Sequence, residues 1–178
     1  MGGKFGISRR DGHGPKRKGA IDRLDSCHRR LEERFELLVE HADAVARGVA
    51  NDDTWDELDE LFRQIERTVR RHDADEEESV FPRLAQHPAL RPLLDRLRVD
   101  HQSQSKQIAD LGARLARLKE SGTAPRRRFL RLCTQLRSAY LDHIRREDRE
   151  LLPAVERYIS KPDQDAIATE MMDRRGHS

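Results

Sequence analysis

Six side chains with metal-binding chemistry recur at ordered intervals in this chain: His28, His72, Glu76, His101, His143 and Glu147. Two of the histidines, His72 and His143, are followed four residues later by a glutamate. Residues four apart are neighbours on one face of a helix. The segments HDADEEESVFP and HIRREDRELLP agree at the histidine, the glutamate, the following acid, an aliphatic, a bulky apolar residue and the proline, at an offset of 143 − 72 = 71 residues. The lone histidines keep almost the same offset, 101 − 28 = 73. One helical hairpin, read His…HisxxxGlu, is thus used twice. Four imidazoles and two carboxylates suit a dinuclear site in which Glu76 and Glu147 bridge and two histidines are terminal on each ion. A solvent-derived bridge then leaves a vacant position on each ion, where a small molecule binds. Imidazole with carboxylate and no thiolate fits iron best, with manganese and zinc as alternatives. No glutamate lies three residues before any of the four histidines, which separates the pattern from the GluxxHis class of di-metal bundles.

The elements that must position these groups are written in the apolar residues, which recur at spacings of three and four. The first stripe is Ile21, Leu24, His28, Leu31, Phe35, Leu38, Ala42 and Val45, and it should stop near Arg47 because Gly48 suits a left-handed cap. The second runs from Trp55 through Leu58, Phe62, Ile65, Val69, His72 and Glu76 towards Phe81. Leu90, Leu94, Leu97, His101, Gln104, Ile108, Leu111, Leu115 and Leu118 make the third. The fourth is Phe129, Leu132, Leu136, Tyr140, His143, Glu147, Leu151, Ala154 and Tyr158. Ser160 and Asp163 form a capping-box pattern that predicts a short fifth helix over about 162–174. No alternating strand pattern is present. The expected fold is all-α, an up-down-up-down antiparallel four-helix bundle closed by a short C-terminal helix. From His28 to Arg47 and from Asp53 to His72 are both 19 residues, so a hairpin brings those histidines to one height. A buried layer of such groups requires partners or a metal.

A length of 178 residues predicts one domain at roughly 100–200 residues per domain. The 35 basic and 33 acidic residues leave a net charge of +2, so no overall field attracts nucleic acid, which is not an expected partner. No apolar run reaches the roughly 18–20 residues of a membrane span and no secretory signal is legible, so the expectation is a cytoplasmic protein without a membrane partner. Two cysteines exclude a disulfide scaffold or a zinc ribbon. Six of the ten glycines fall in residues 1–19 with Lys4, Arg9, Arg10, Lys16, Arg17 and Lys18, which reads as a flexible basic arm able to meet an acidic partner. The folded domain is expected over 20–178.

With these residues in place, the sequence resembles the hemerythrin-like proteins, or HHE cation-binding domains, over about residues 20 to 158; the tail ATEMMDRRG is similar to the family's closing helix. The resemblance implies a four-helix bundle around an oxo- or hydroxo-bridged non-haem di-iron centre, with His28, His72, Glu76, His101, His143 and Glu147 as ligands. It implies binding of, or reaction with, oxygen, nitric oxide or hydrogen peroxide, in sensing or stress defence. Peroxide disproportionation and nitric-oxide chemistry are the enzymatic versions of that expectation. Iron–sulfur repair, iron handling, or an interaction module with a structural metal are the alternatives. Oxygen-carrying members add a histidine where this chain has Ser105, and take their last carboxylate where Asp148 stands, which argues against simple oxygen transport. Glu147 is preferred over Asp148 because it keeps the repeat. Glu77 and Asp148 are then flanking acids that orient ligands or face solvent. Tyr140, one turn before His143, is a candidate to hydrogen-bond or ligate the centre, beside its plainer role in the core.

Overall fold

The computed structural model describes residues 19–121 and 125–176. Among them every regular element is helical. The expected arm, residues 1–19, lies outside the described residues except for Gly19.

Helix α1 (Ala20–Arg47) buries the first stripe from Leu24 to Val45, with Ile21 half-buried at its start, and ends as its sequence dictates. Gly48 adopts φ 75°, and its N–H and that of Val49 return to the carbonyls of Val45 and Ala44, a left-handed stop that a β-carbon would strain. Asn51 then caps α2 (Asp52–Ala74), its side-chain oxygen accepting from Thr54 N–H at 2.9 Å. The rod does not end at Ala74. It passes through a widened π turn, Asp75–Val80, into α3 (Phe81–Leu84). A short 3₁₀ turn over Pro88–Leu90 leads to α4 (Arg91–Ser121). The fourth rod repeats the second: α5 (Arg126–Arg146), a π turn over Glu147–Leu151, then α6 (Leu152–Tyr158). The final helix, α7 (Lys161–Gly176), is capped by Ser160, whose hydroxyl accepts from Asp163 N–H at 3.3 Å.

Both π turns have one origin. Pro82 and Pro153 lack the N–H of a regular ladder and collide with the carbonyl four residues back. In each rod the residue before the proline, Phe81 or Leu152, donates instead to a carbonyl five residues back, that of Glu76 or Glu147. The widened turn therefore takes in the glutamate of each HisxxxGlu pair, Glu76 as its second residue and Glu147 as its first. Single π turns inside helices are found mostly where function needs a re-aimed side chain.

Helix α1 packs against α2 and α5, and α4 packs against α5 and α2. A Cβ on Gly112 would come within 3.1 Å of the Phe62 ring, so the small residue sets how closely α4 approaches α2. The apolar interior forms two clusters. One contains Leu31, Phe35, Leu38, Phe62, Ile65, Leu111, Phe129 and Leu136. The other contains Leu24, Val80, Phe81, Leu94, Leu97, Leu151, Val155, Ile167 and Met171, and so includes α7. Each fully buried Phe or Leu contributes roughly 1.5–3 kcal/mol. Tyr158 departs from the expected stripe: it is 40% exposed and lies against His87, with ring centroids 4.6 Å apart, because it occupies the last turn of its rod, beyond the helices it would pack on.

Helix α7 covers α1 and the first π turn. Its Arg174 Nε donates to Asp75 Oδ1 at 2.9 Å, Arg175 Nη2 to Asp75 Oδ2 at 2.6 Å, and Arg174 Nη2 to Ser79 Oγ at 2.6 Å. Asp75 is buried and immediately precedes Glu76. A buried carboxylate without such partners would cost several kcal/mol.

Candidate metal centre

The six predicted residues come from all four rods: His28 from α1, His72 and Glu76 from the second rod, His101 from α4, His143 and Glu147 from the fourth. The structure brings all six together, each fully or almost fully buried. The helical spacing of four puts each glutamate one turn beyond its histidine, and each glutamate lies within a π turn.

The donor atoms form two overlapping sets, His28, His72, Glu76, Glu147 and Glu76, His101, His143, Glu147, with the atoms of each set within 4.8 Å of one another. Glu147 divides its oxygens between them. Oε2 lies 3.2 Å from His28 Nε2 and 3.5 Å from His72 Nε2, whereas Oε1 lies 2.7 Å from His143 Nε2 and 3.7 Å from His101 Nε2. Glu76 does the same, Oε1 lying 3.7 Å from His72 Nε2 and Oε2 3.4 Å from His101 Nε2. Bonds of about 2.1 Å to one ion place neighbouring ligand atoms about 3.0–3.4 Å apart. The observed separations, 2.7–3.7 Å, bracket that range.

The outward ring nitrogens are held by other groups. His28 Nδ1 lies 2.8 Å from Asp148 Oδ1, and His101 Nδ1 lies 2.7 Å from Glu77 Oε1. Each acid that follows a core glutamate thus grips the lone histidine of the opposite hairpin. A carboxylate on Nδ1 fixes the tautomer and turns Nε2 inward. Asp148 itself is 45% exposed, so Glu147, not Asp148, occupies the centre. The residue before each lone histidine serves the other ring of its own hairpin: Asp100 Oδ2 lies 3.5 Å from His143 Nδ1, and the Cys27 thiol faces His72. Arg146 holds Asp100 in turn.

Charge is concentrated here. Burial opposes protonation of His28, but Asp148 and Glu147 hold its pKa up at about 9. Burial opposes it likewise for His101, where Glu147 and Glu76 raise the value to about 11. For His72 too burial is overcome, chiefly by the charge of Glu76, and the pKa rises. Burial and the neighbouring charge of Glu147 push Glu76 up. Burial would do the same to Glu147, but His101, His143, His28 and His72 together outweigh it and hold the carboxyl well below its ordinary range. Burial would also raise the Cys27 thiol, yet the charge of His72 depresses it.

The residues fit a bound metal by their own chemistry. The Nε2 atoms of all four histidines and both oxygens of Glu76 and Glu147 are buried without a hydrogen-bond partner. Native interiors leave few polar atoms in that condition. A metal cation satisfies several imidazole lone pairs and carboxylate oxygens at once. The hemerythrin HHE cation-binding domain matches residues 19–155. The chain belongs to this family. Its two His/Glu clusters could hold a metal ion, and no helix among the described residues is long and apolar enough to cross a membrane. No curated protein sequence matches this HHE chain.

Two further groups, Tyr140 and Asp73, stand at the centre, and Gln104 is buried one turn beyond His101. Tyr140 is fully buried, its ring 4.6 Å from Phe35 and 5.7 Å from His143, and its hydroxyl has no partner. Asp73 and Gln104 are not among the predicted site residues, although Gln104 sits in the third stripe and Asp73 adjoins His72. A polar residue in an apolar stripe was the available signal for Gln104. For Asp73, on the edge of the helix face, there was none.

Proposed function

We infer that this chain is a non-haem di-iron protein of the HHE type, whose ions are held by His28, His72, His101, His143, Glu76 and Glu147 on a bundle of up-down-up-down antiparallel order. The observation that carries this reading is the division of each glutamate's oxygens between the two histidine pairs. Glu76 and Glu147, each reaching both histidine pairs, would hold a metal pair together with the four imidazoles. The mixed nitrogen and oxygen set without thiolate supports iron ahead of manganese or zinc. When bound, an iron pair supplies two adjacent redox-active positions that take oxygen, nitric oxide or hydrogen peroxide. The surrounding residues do the rest: Asp148 and Glu77 keep the His28 and His101 rings aimed inward, and the two apolar clusters keep bulk water away. The cellular role is redox or oxygen sensing or stress defence. Both cysteines are unpaired, in keeping with a reducing cytoplasm.

Metal analysis with optical spectra of untagged protein, taken anaerobically and after exposure to each gas and to peroxide, tests this. About two irons per chain, with near-ultraviolet charge-transfer bands that respond, is the expected result. Zinc, or no metal in a protein that still folds, rejects it.

A further inference from the structure

The C-terminal half of α4 and the start of α5 carry arginines that take no part in the metal layer. Arg114, Arg117 and Arg128 line a cavity of about 200 Å³ together with the buried Leu118 and Phe129. A second cavity, of about 440 Å³, meets the first at Arg114 and runs on between the two helices along Leu111, Leu132 and Ala139, with Gln107 and Gln135. From Gln107 to Arg117 is ten residues, so the trough is about 15 Å long at about 1.5 Å per residue. Arg114 stands 13 residues beyond His101 on the same helix, about 20 Å along its axis.

Elsewhere in the chain arginines close on an acid one turn away: Arg29 reaches Asp25, Arg47 reaches Asp43 and Arg63 reaches Glu60. Arg114 has Asp110 at that spacing, yet it is half-buried and makes no hydrogen bond or ion pair among the described residues; Arg128 makes none either. A guanidinium partly withdrawn from water without a counter-charge is unfavourable. The backbone adds to this, because α5 opens on Arg126, Arg127 and Arg128 with no acid in its first turn and no side-chain cap, and the helix dipole opposes cations there. No acid lines the arginine cavity among the described residues. An anion seated in it offsets all of these costs together.

The class of anion follows from charge and shape. Guanidinium forks match phosphate oxygens in pairs. One phosphate monoester brings a charge of only about −1.5 to −2, short of three guanidiniums, and a second phosphate group closes the difference. The adjoining cavity is of the size that takes an organic ligand, about 300–1,000 Å³, and its half-buried Leu132 beside Leu111 offers hydrocarbon to the body of such a molecule.

We propose that the α4–α5 trough binds an organic diphosphate, its phosphates on Arg114, Arg117 and Arg128 and its body along Leu111 and Leu132. The site is separate from the metal layer and stands whether or not that layer holds iron.

Calorimetric titration of the full-length protein as purified, without magnesium, with inorganic pyrophosphate, ADP and geranyl diphosphate in turn, tests this. One organic probe should bind at least about tenfold more tightly than pyrophosphate; ADP in that place assigns a nucleoside body, geranyl diphosphate an alkyl one. Arg114→Gln and Arg128→Gln should each weaken that probe about tenfold or more, the effect of losing a charge-assisted hydrogen bond, with metal content unchanged. Leu132→Ser should weaken the organic probe severalfold and leave pyrophosphate as it was. Arg96→Gln, at an exposed arginine remote from the trough, should alter nothing. The proposal is overturned if neither organic probe binds, if pyrophosphate binds as tightly as both, if both trough arginine variants bind as wild type does, or if Arg96→Gln costs as much as they do. Iron-free protein that still binds the organic probe keeps the site and rejects only the di-iron reading.

Discussion

Two acids stand side by side in the fourth rod, and burial assigns them different work. Glu147 reaches all four imidazoles, while Asp148 touches the outer nitrogen of one. Glu147→Ala should therefore abolish tight metal binding at both positions, because it removes one donor from each. Asp148→Ala should keep the metal and lower its affinity about 10–100-fold, the usual effect of losing an orienting carboxylate. Competition against a chelator of known affinity, with folding checked by circular dichroism, separates the two. The buried cluster of six was legible in the sequence because imidazole and carboxylate groups on an apolar stripe are costly to bury alone, and their repeated intervals supply the partners. Asp148 and Glu77 could be paired with each other by the repeat, but not with their targets, since the cross-over to the opposite hairpin is a fact of three-dimensional packing. Asp75 and Asp100 gave no signal at all: an acid among many acids in a chain of 38% charged residues is not distinctive.

The rods were legible at their capped ends and hidden in their middles. Gly48 and Asn51 announce a stop and a start through local backbone chemistry. A π turn changes the helical period for one turn only, too short a stretch to register against a spacing of three and four. Helix α7 was foreseen as a closing helix, but its grip on the Glu76 turn through Arg174, Arg175 and Asp75 was not. A further tie is the paired contact of Arg83 with Glu170, 2.7 Å at its shorter. The Arg83 guanidinium, helped by Ser79 and Arg174, holds the Glu170 carboxyl below its ordinary range. A depressed folded-state pKa means the contact contributes fully above the unfolded value of about 4.3 and fades as pH falls through the folded one. The stability difference between wild type and Glu170→Gln, measured by urea unfolding, should thus be constant from pH 7 to about 5 and shrink below about 4. Because Glu170 is well exposed, the difference should be small throughout.

At the scale of the molecule the polar layer lies between the two apolar clusters, and a cation bound there would tie them together. Binding to the folded state alone stabilises by about 2.7 kcal/mol at a hundredfold excess over Kd. Chelation should lower the melting temperature. It should also raise hydrogen exchange more in α3, α6 and α7, around the smaller cluster, than in the long helices around the larger one, and exchange with mass-spectrometric readout checks this. An equal rise everywhere would show that the layer does not divide the fold. The cross-over contacts, Asp148 to His28 and Glu77 to His101, make the two copies of the hairpin interdependent. Each orients the lone histidine that the other supplies, so a change that loosens one hairpin leaves a ring of its neighbour unaimed.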